Sequence, residues 1–266
     1  MKTIVFVKQI LDPDIEPTLF RIDPRTNSVV PPTGSWPRIS LLDELAVEVA
    51  LRLKDAHGGV VTVISLCNEP FLDVLKKPLA MGADELVLLQ GSELEGGDAF
   101  STAQALAASA KKVGDYDIIL CGSQAGDWDN GQVGLYVAEA LGIPCITGAW
   151  EVQVEEETVR VSRIFGDSQE TVEASLPALV TVGSDVGRAR YPGLRGIMAA
   201  AKKQPQIWTF QDLDVDPSDV GVSGAMTRVR RLYVGEKDGE CEIIQGATPA
   251  EAGEKLANRL RELRII

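Results

Sequence analysis

Apolar runs of strand length alternate with helix-like periodicity through the first half of the chain. Strands are predicted at residues 3–8, 60–66, 85–89, 117–120 and 143–146, and helices at 42–56, 70–81, 99–113 and 131–141. The run at 60–66 is continuously apolar, as is typical of a central parallel strand covered on both faces. Strands and helices that alternate through short loops predict right-handed crossovers and a twisted parallel sheet with helices on both faces.

Local signals mark the ends of two of these helices. Asp43 stands at the start of the first helical pattern and is predicted to cap it. Pro78 falls inside the second pattern and is predicted to distort or end that helix.

The periodicity changes after Gly148. Residues 150–154 and 159–163 alternate apolar and polar side chains across the acidic turn 155–158, which predicts an antiparallel hairpin with one wet face. Residues 168–174 are a further strand candidate beside this hairpin, and 178–182 are predicted to be a buried strand. A smaller hairpin is predicted at 21–30.

The last third of the chain is poor in candidate core residues. A basic loop punctuated by glycine and proline, 188–196, leads to a predicted helix at 197–203, a strand at 227–234 and a helix at 249–264 capped by Thr248. A tail of this kind usually covers another surface. We therefore divide the chain into an α/β domain, 1–184, and an extended C-terminal arm, 185–266.

The charge balance argues against nucleic acid as a partner. The 266 residues hold 26 Lys and Arg against 39 Asp and Glu, a net charge of −13, and such a surface repels phosphate backbones. No apolar run approaches the roughly 20 residues of a membrane helix, so no stable membrane insertion is expected. A strand that begins at residue 3 leaves no room for a leader peptide, which favours the cytoplasm.

The residue types of the common catalytic and metal sites are scarce. Four cysteines are widely spaced, with Cys121 and Cys145 predicted to be buried in strands, and His57 is the sole histidine. Neither a metal site nor a Cys–His pair is therefore expected. The chain also lacks the nucleophile elbow, the lysine phosphate loop and the dinucleotide fingerprint. We expect no catalytic residues and no enzyme activity of its own.

A small-residue loop, 121–134, lies between a predicted strand and a predicted helix. Open α/β sheets bind ligands at such strand ends, where helix N–H groups face phosphate. A tight turn needs small residues for its geometry alone, and that interpretation is equally open for a generic glycine-rich loop. Asp127, Asp129, Asn130 and Gln132 add hydrogen-bonding groups that a simple turn does not need.

Several blocks along the whole chain carry a family resemblance. They are Val7–Gln9, Asp43–Lys54, Ala80–Asp84, Gly122–Gly134 with its spaced Gln124, Asp127, Asp129 and Gln132, Val172–Ala178, and Arg190–Ala200. Through these blocks the chain resembles the β subunit of an electron-transfer flavoprotein. The resemblance implies an adenine-nucleotide α-hydrolase-like α/β fold and a heterodimer with an α subunit.

The resemblance also implies the cofactors and their site. The redox-active FAD would be held mainly by the α subunit, and this chain would hold either AMP or a second, bifurcating FAD. The implied nucleotide-binding residues are Phe6, Ser40, Leu41, Leu42, Asp43, Leu66, Gly122, Ser123, Gln124, Ala125, Gly126, Asp127, Trp128, Asp129, Asn130, Gly131, Gln132 and Val133. The two acids have two open roles: hydrogen bonding to ribose or adenine, or shaping the loop. Trp128 is an exposed aromatic or a stacking partner for adenine.

A second implied site docks flavin dehydrogenases such as acyl-CoA dehydrogenase. Leu194 corresponds to the family's anchor residue, with Tyr191, Pro192, Ile197 and Met198 beside it. An ordinary buried leucine under a loop is the alternative. The chain departs from the family pattern at Ser40–Leu41, where Asn-Pro is usual, and at Asp185–Ala189, where Leu-Asn-Glu-Pro is usual.

Two other functions remain open at this point. One is a stand-alone adenine-nucleotide-binding stress or signalling protein on a similar sheet. The other is an ATP-splitting ligase or hydrolase, against which the missing Ser-Gly-Gly phosphate loop argues. The electron-carrier hypothesis fits best, since a carrier needs a positioned flavin rather than acid–base groups of the protein.

Overall fold

A computed structural model describes residues 1–235 and 241–266 of the chain. They fall into two units, Met1–Arg231 and Leu232–Ile266. The strands are β1 (Lys2–Phe6), β2 (Gln9–Ile10), β3 (Arg21–Asp23), β4 (Ser28–Val30), β5 (Arg38–Ile39), β6 (Val60–Leu66), β7 (Glu85–Leu89), β8 (Ile118–Gly122), β9 (Cys145–Glu155), β10 (Thr158–Phe165), β11 (Ser168–Ser175), β12 (Ala178–Val182) and β13 (Gln206–Trp208). The helices are α1 (Leu41–His57), α2 (Leu72–Leu75), α3 (Lys77–Met81), α4 (Ala99–Val113), α5 (Val133–Leu141), α6 (Leu194–Lys202), α7 (Gly221–Gly224) and α8 (Pro249–Glu262).

Nine strands of the first unit form one sheet in the order β11-β10-β9-β12-β8-β1-β6-β7-β13. Every pairing from β9 to β13 is parallel, whereas β9, β10 and β11 pair antiparallel. From β1 the chain winds in one direction to β6 and β7, and then crosses to the opposite side of β1 to form β8. The strand order therefore reverses between β1 and β8. The predicted fold class, a largely parallel twisted sheet with an antiparallel section, is confirmed.

Helices cover both faces of the sheet, because the β1 side chains alternate between two cores. Val5 packs with α1 residues such as Val47 and Ala50 on one face. Ile4 packs with Ala103 of α4 and Val137 of α5 on the other face. All six side chains are at most 1% exposed, and burying an aliphatic side chain of the size of Val or Ile stabilises a fold by about 1.5–3 kcal/mol.

The antiparallel section differs from the prediction in one respect. The separate strands predicted at 143–146 and 150–154 are a single strand, β9. Its pairing with β12 shifts register between Val180 and Val182, and Gly148 has a φ of 72°. A glycine at positive φ allows the strand to continue through a local irregularity. The sequence pattern predicted the end of a strand at this position. The small hairpin at 21–30 and the pairing of β11 beside β10 are confirmed.

Three helix predictions need correction. The predicted helix 70–81 is two short helices, α2 and α3, and Pro78 lies in the first turn of α3, where a missing N–H costs nothing. Helix α5 begins at Val133 rather than 131. Helix α6 begins at Leu194 rather than 197, because Gly193 serves as its N-cap.

Residues 227–234, predicted as a strand, form no regular secondary structure. Alternation of side chains along a segment does not by itself decide that the segment forms a strand, because β-propensity depends strongly on context. The predicted burial of Cys145 is wrong as well: Cys121 is buried, but Cys145 is exposed at the first position of β9. No helix within the described residues combines the length and apolar character of a membrane span.

The predicted division at residue 184 stays a prediction. Residues 185–231 belong to the first unit, where Leu213 and Val220 are 7% and 1% exposed. In the second unit, the predicted cap of α8 is confirmed: the Thr248 hydroxyl accepts a hydrogen bond from the Glu251 N–H at 3.2 Å. Its side chains Leu256 and Ile265 are exposed.

Candidate functional site

The candidate nucleotide site lies where the strand order of the sheet reverses. Val5 of β1 pairs with Leu120 of β8, so the segments that follow these strands leave the same edge of the sheet side by side. A reversal of strand order leaves a crevice outside the carboxyl ends of the two strands, which is where open α/β sheets bind ligands. The loop at 123–132 begins at this crevice.

The Asp43 carboxylate joins three segments around the crevice. One oxygen accepts a hydrogen bond from the Gly122 N–H, and the other accepts one from the Lys8 N–H, both at 2.9 Å. Ser40 adds two links, because its N–H donates to the Lys8 carbonyl at 2.9 Å and its hydroxyl accepts from the Gly126 N–H at 3.3 Å. The start of α1 is thereby bound to the ends of β1 and β8.

These contacts correct the predicted role of Asp43. The N-cap of α1 is Ser40, and the Asp43 side chain binds N–H groups of β8 and of the segment after β1 rather than those of its own helix. Its side chain is turned into the protein, since the whole residue is 6% exposed. Asp43 is therefore a link between segments and not a helix cap.

Burial also changes the acidity of Asp43. Removal from water raises its pKa to about 7, against the opposing hydrogen bonds from the Gly122 and Lys8 N–H groups. Burial disfavours the charged form of a carboxyl group, and N–H donors favour it. Both protonation states of Asp43 are therefore populated near neutral pH.

Two glycines allow close packing around the crevice. A Cβ at Gly122 would lie 2.7 Å from the Asp43 carboxylate and 2.7 Å from the Leu42 Cβ. A Cβ at Gly134, in the first turn of α5, would lie 2.8 Å from the Cys121 sulfur. Only glycine fits either position without displacement of its neighbours.

The amino end of α5 lacks a side-chain cap. Its N-cap, Gln132, makes no capping side-chain hydrogen bond, and the leading N–H groups of a helix without such a cap need another acceptor. Asp129 and Gly131 just before it have φ values of 50° and 62°, and the Asp129 N–H donates to the Ala125 carbonyl at 2.9 Å. Open N–H groups and a helix dipole favour an anion such as phosphate.

Asp127 shapes the loop that contains it. Its carboxylate accepts a hydrogen bond from the Trp128 N–H at 2.9 Å and pairs with the Lys8 ammonium at 2.7 Å. Of the two roles left open for the acids, loop shaping is thus observed for Asp127. Lys8 was not among the predicted site residues. Its place directly after β1, at the reversal of strand order, was the signal that could have identified it.

The remaining predicted nucleotide residues differ in exposure. Phe6 is 5% exposed and belongs to the core beneath the crevice, and Leu66 packs partly buried against the same core. Leu41 and Trp128 are 56% and 49% exposed. Trp128 is therefore an exposed aromatic in this structure, and its stacking on adenine stays a prediction.

The predicted docking residues protrude from the protein. Tyr191 is 91% exposed and Leu194 is 74% exposed, while Ile197 and Met198 are 46% and 58% exposed. Pro192 between them is partly buried. The alternative of an ordinary buried leucine at 194 is therefore wrong for this chain. Helix α6 lies against α3, since a Cβ at Gly196 would overlap the Ala80 carbonyl.

Comparison with known proteins assigns the family. The model of the electron transfer flavoprotein domain matches residues 37–213, a range that contains α1, the crevice loop and α6. The chain belongs to the electron-transfer flavoprotein family. Among its relatives, the electron transfer flavoprotein subunit beta of Clostridium acetobutylicum is 36% identical over 266 residues, with all of both chains covered.

Two other relatives also match over their whole length. The electron transfer flavoprotein subunit beta of Thermoanaerobacterium thermosaccharolyticum is 36% identical over 267 residues. The caffeyl-CoA reductase-Etf complex subunit CarD of Acetobacterium woodii is 33% identical over 268 residues. The predicted resemblance to the family's β subunits is confirmed. Membership connects the chain to electron transfer and to flavin, which are the attributes of the family.

Proposed function

We propose that this chain is the β subunit of a heterodimeric electron-transfer flavoprotein, with an α subunit that holds the redox-active FAD. Matches to β subunits over the whole chain support this function over that of a stand-alone nucleotide-binding protein. The proposed location is the cytoplasm. The proposed role of residues 185–266 is to carry the docking segment and to pack on the α subunit.

The crevice between β1 and β8 is the proposed site of a second nucleotide, AMP or a second FAD. The observation that carries this proposal is the link from Asp43 to the Gly122 and Lys8 N–H groups. It holds the start of α1 against the loop, next to a reversal of strand order. The residues present fit a nucleotide: Gly122 lets the start of α1 approach the end of β8, the start of α5 lacks a side-chain cap for its N–H groups, and Lys8 supplies a cation.

The residues of this chain bind and orient rather than react. The α5 N–H groups would hold a bound phosphate, while Asp43 fixes the loop backbone and Lys8 balances the charge of Asp127. The flavin supplies the redox chemistry, and a protein's part in such systems is to position the cofactor and set its surroundings. The chain therefore acts as an electron-carrier subunit without catalytic residues of its own.

Electrons reach the complex from flavin dehydrogenases, such as acyl-CoA dehydrogenase, that dock on the segment around Leu194. Its exposure of 74% leaves the side chain free to enter a pocket of the partner. A single buried anchor at the centre of an interface can contribute about 2 kcal/mol or more. Tyr191, Ile197 and Met198 extend the apolar surface around it.

The nucleotide content of the purified complex tests the proposal. The chain is co-expressed with its α subunit, the complex is denatured, and the released nucleotides are separated and counted. One FAD and one AMP per heterodimer indicate a simple shuttle, and two FAD indicate a bifurcating carrier. A heterodimer that releases only one FAD and transfers electrons normally would refute the second site.

A further inference from the structure

A buried carboxylate in α1 binds the segment that precedes the docking residues. Glu48 is 5% exposed, and its oxygens accept three hydrogen bonds from Arg190: from the backbone N–H at 3.0 Å, from Nε at 2.9 Å and from Nη2 at 3.3 Å. A fourth hydrogen bond comes from Arg52 Nε at 2.9 Å. Arg190 is thus bound to α1 mainly through Glu48.

Arg52 extends this contact along the backbone of the segment. Its two terminal nitrogens donate to the Val186 carbonyl at 3.1 Å and to the Arg188 carbonyl at 3.4 Å. The Arg190 guanidinium also reaches Asp55, one turn further along α1, at 2.9 Å. The chain from 186 to 190 is thereby attached to α1 at three backbone groups and one side chain.

The docking turn, residues 191–194, is attached at its other end to α3. Helix α6 contacts α3 at Gly196, and Ala200 is 3% exposed. The Lys203 ammonium after α6 donates to the Ala83 and Asp84 carbonyls at 3.3 and 2.7 Å. Between these two attachments lie Tyr191 and Leu194, the most exposed apolar side chains of the turn.

The charge of Glu48 is needed for the attachment. Burial alone would raise its pKa, but the hydrogen bonds from Arg190 and Arg52 outweigh it, and the pKa of Glu48 lies below its ordinary value. The carboxylate is thus ionised at neutral pH. A neutral amide at this position would keep one acceptor oxygen and present an N–H₂ group to two arginines that are donors only.

We infer that Glu48 is a positioning residue for partner docking: through Arg190 and Arg52 it fixes the segment 186–190, and thereby the orientation in which Leu194 is presented. This inference rests on the proposed docking role of Leu194. Glu48 itself does not touch the partner. Its effect is to hold the docking turn in one arrangement before the partner arrives, which lowers the ordering cost of association.

The test compares Glu48→Gln with wild type in the complete heterodimer, with an acyl-CoA dehydrogenase and its substrate as the electron source. We expect the apparent KM for the heterodimer to rise about tenfold, equivalent to ~1.4 kcal/mol, and kcat to stay within about twofold. Amide hydrogen exchange in residues 186–194 should become at least about tenfold faster. The nucleotide content should not change.

Asp98→Asn is the matched control. The Asp98 carboxylate, at the start of α4, also accepts four hydrogen bonds: from the Phe100, Ser101 and Thr227 N–H groups and from the Thr227 hydroxyl, at 2.8–3.1 Å. These partners lie outside the docking segment and its attachments. A comparable loss of thermal stability with an unchanged KM is expected. An equal rise of KM in Asp98→Asn and Glu48→Gln would overturn the positioning role, since general loosening would then suffice.

Two further variants keep the inference falsifiable. If Glu48→Gln does not fold, Arg190→Lys replaces it: the charge stays but the forked geometry is lost, and we expect KM to rise about threefold. An unchanged KM in a folded variant at position 48 or 190 overturns the inference. Leu194→Ala distinguishes failure of the positioning role from failure of the docking site. If KM rises in Leu194→Ala but not in Glu48→Gln, only the positioning role is refuted. If KM is unchanged in Leu194→Ala, the docking site is refuted and this inference with it.

Discussion

The proposed nucleotide crevice and the proposed docking segment are both attached to α1, but the hydrogen-bond donors that attach them are of different kinds. At the crevice, Asp43 accepts hydrogen bonds from two backbone N–H groups. At the docking segment, Glu48 accepts most of its hydrogen bonds from arginine side chains. The Asp43 contacts thus fix the backbone at the proposed nucleotide site, whereas the Glu48 contacts fix the base of a turn whose apolar side chains lie in solvent.

The glycines of the two regions show the same contrast. A Cβ at Gly122 would lie 2.7 Å from its neighbours, while a Cβ at Gly193 would have nothing within 4 Å. An added methyl group is therefore excluded at Gly122 and tolerated at Gly193. Substitutions at the crevice should change nucleotide content and stability together, and substitutions at the docking segment should change partner kinetics alone.

The largest effect is expected from Gly122→Ala. The new methyl group displaces Asp43 or Leu42, which should lower the free energy of unfolding by about 1–3 kcal/mol and release the nucleotide of this chain. Thermal unfolding and nucleotide analysis of the heterodimer measure both. Gly193→Ala is the control, because its φ of −73° suits alanine, and it should keep its full nucleotide content. A Gly122→Ala protein with normal nucleotide content and stability would contradict nucleotide binding at the crevice.

Asp43→Asn tests the link from α1 to the loop. An amide can accept only one of the two N–H hydrogen bonds, and an unpaired buried donor costs about 1–3 kcal/mol. Because burial raises the folded pKa above its ordinary value of 3.8 to about 7, the proton of Asp43 stabilises the fold below pH 3.8, and this contribution disappears as the pH rises through 7.

The cost of Asp43→Asn should therefore be greater at pH 5 than at pH 8, by about 1 kcal/mol or more. Urea unfolding of wild type and variant at both pH values measures the difference. A cost that is independent of pH, or that grows towards pH 8, would show that Asp43 stays ionised throughout.

Leu194→Ala tests the docking segment. Because the side chain is 74% exposed, its removal should change the melting temperature and the nucleotide content very little. Electron acceptance from the dehydrogenase should slow about tenfold or more, as expected for loss of a central anchor worth ~1.4 kcal/mol or above. Stopped-flow reduction of the complex provides the rate. Unaltered kinetics would remove the anchor role.

The smallest effect is expected at the ion pair of Lys8 and Asp127, whose side chains are 44% and 25% exposed. Lys8→Gln should weaken nucleotide retention several-fold, with a loss of stability below about 1 kcal/mol. Asp127→Asn in the same chain separates two mechanisms. Recovery of nucleotide in the double variant means that Lys8 acts by balancing Asp127, and no recovery means that it acts on the phosphate directly.

Local patterns predicted those elements whose signals lie within a few residues. Strands β6 and β7 and helix α4 begin and end where predicted, because each is a simple apolar run or period between glycines or caps. The partners of Asp43 could not be predicted in this way, since Gly122 is 79 positions distant in sequence. Lys8 and Asp127 are 119 positions apart.

The exposure of Leu194 was predicted from the family resemblance and not from its local pattern. Its environment depends on how α6 packs on α3, which is a property of the folded chain. The strand predicted at 227–234 is wrong for a related reason: side-chain alternation alone does not decide whether a segment forms a strand, and these residues have no regular secondary structure. Sequence thus predicted a binding role for the loop at 123–132 and for the segment around Leu194, while the contacts that hold both segments required the structure.

Photolabelling of the heterodimer shows whether the nucleotide binds at the crevice of this chain. The heterodimer, depleted of its exchangeable nucleotide, is irradiated with an 8-azidoadenosine phosphate, and the labelled peptides are mapped. We expect label within residues 40–43 or 122–133 of this chain, abolished by excess AMP or FAD and absent in Gly122→Ala. Label confined to the α subunit, or spread over this chain without competition, would refute a nucleotide site at the crevice.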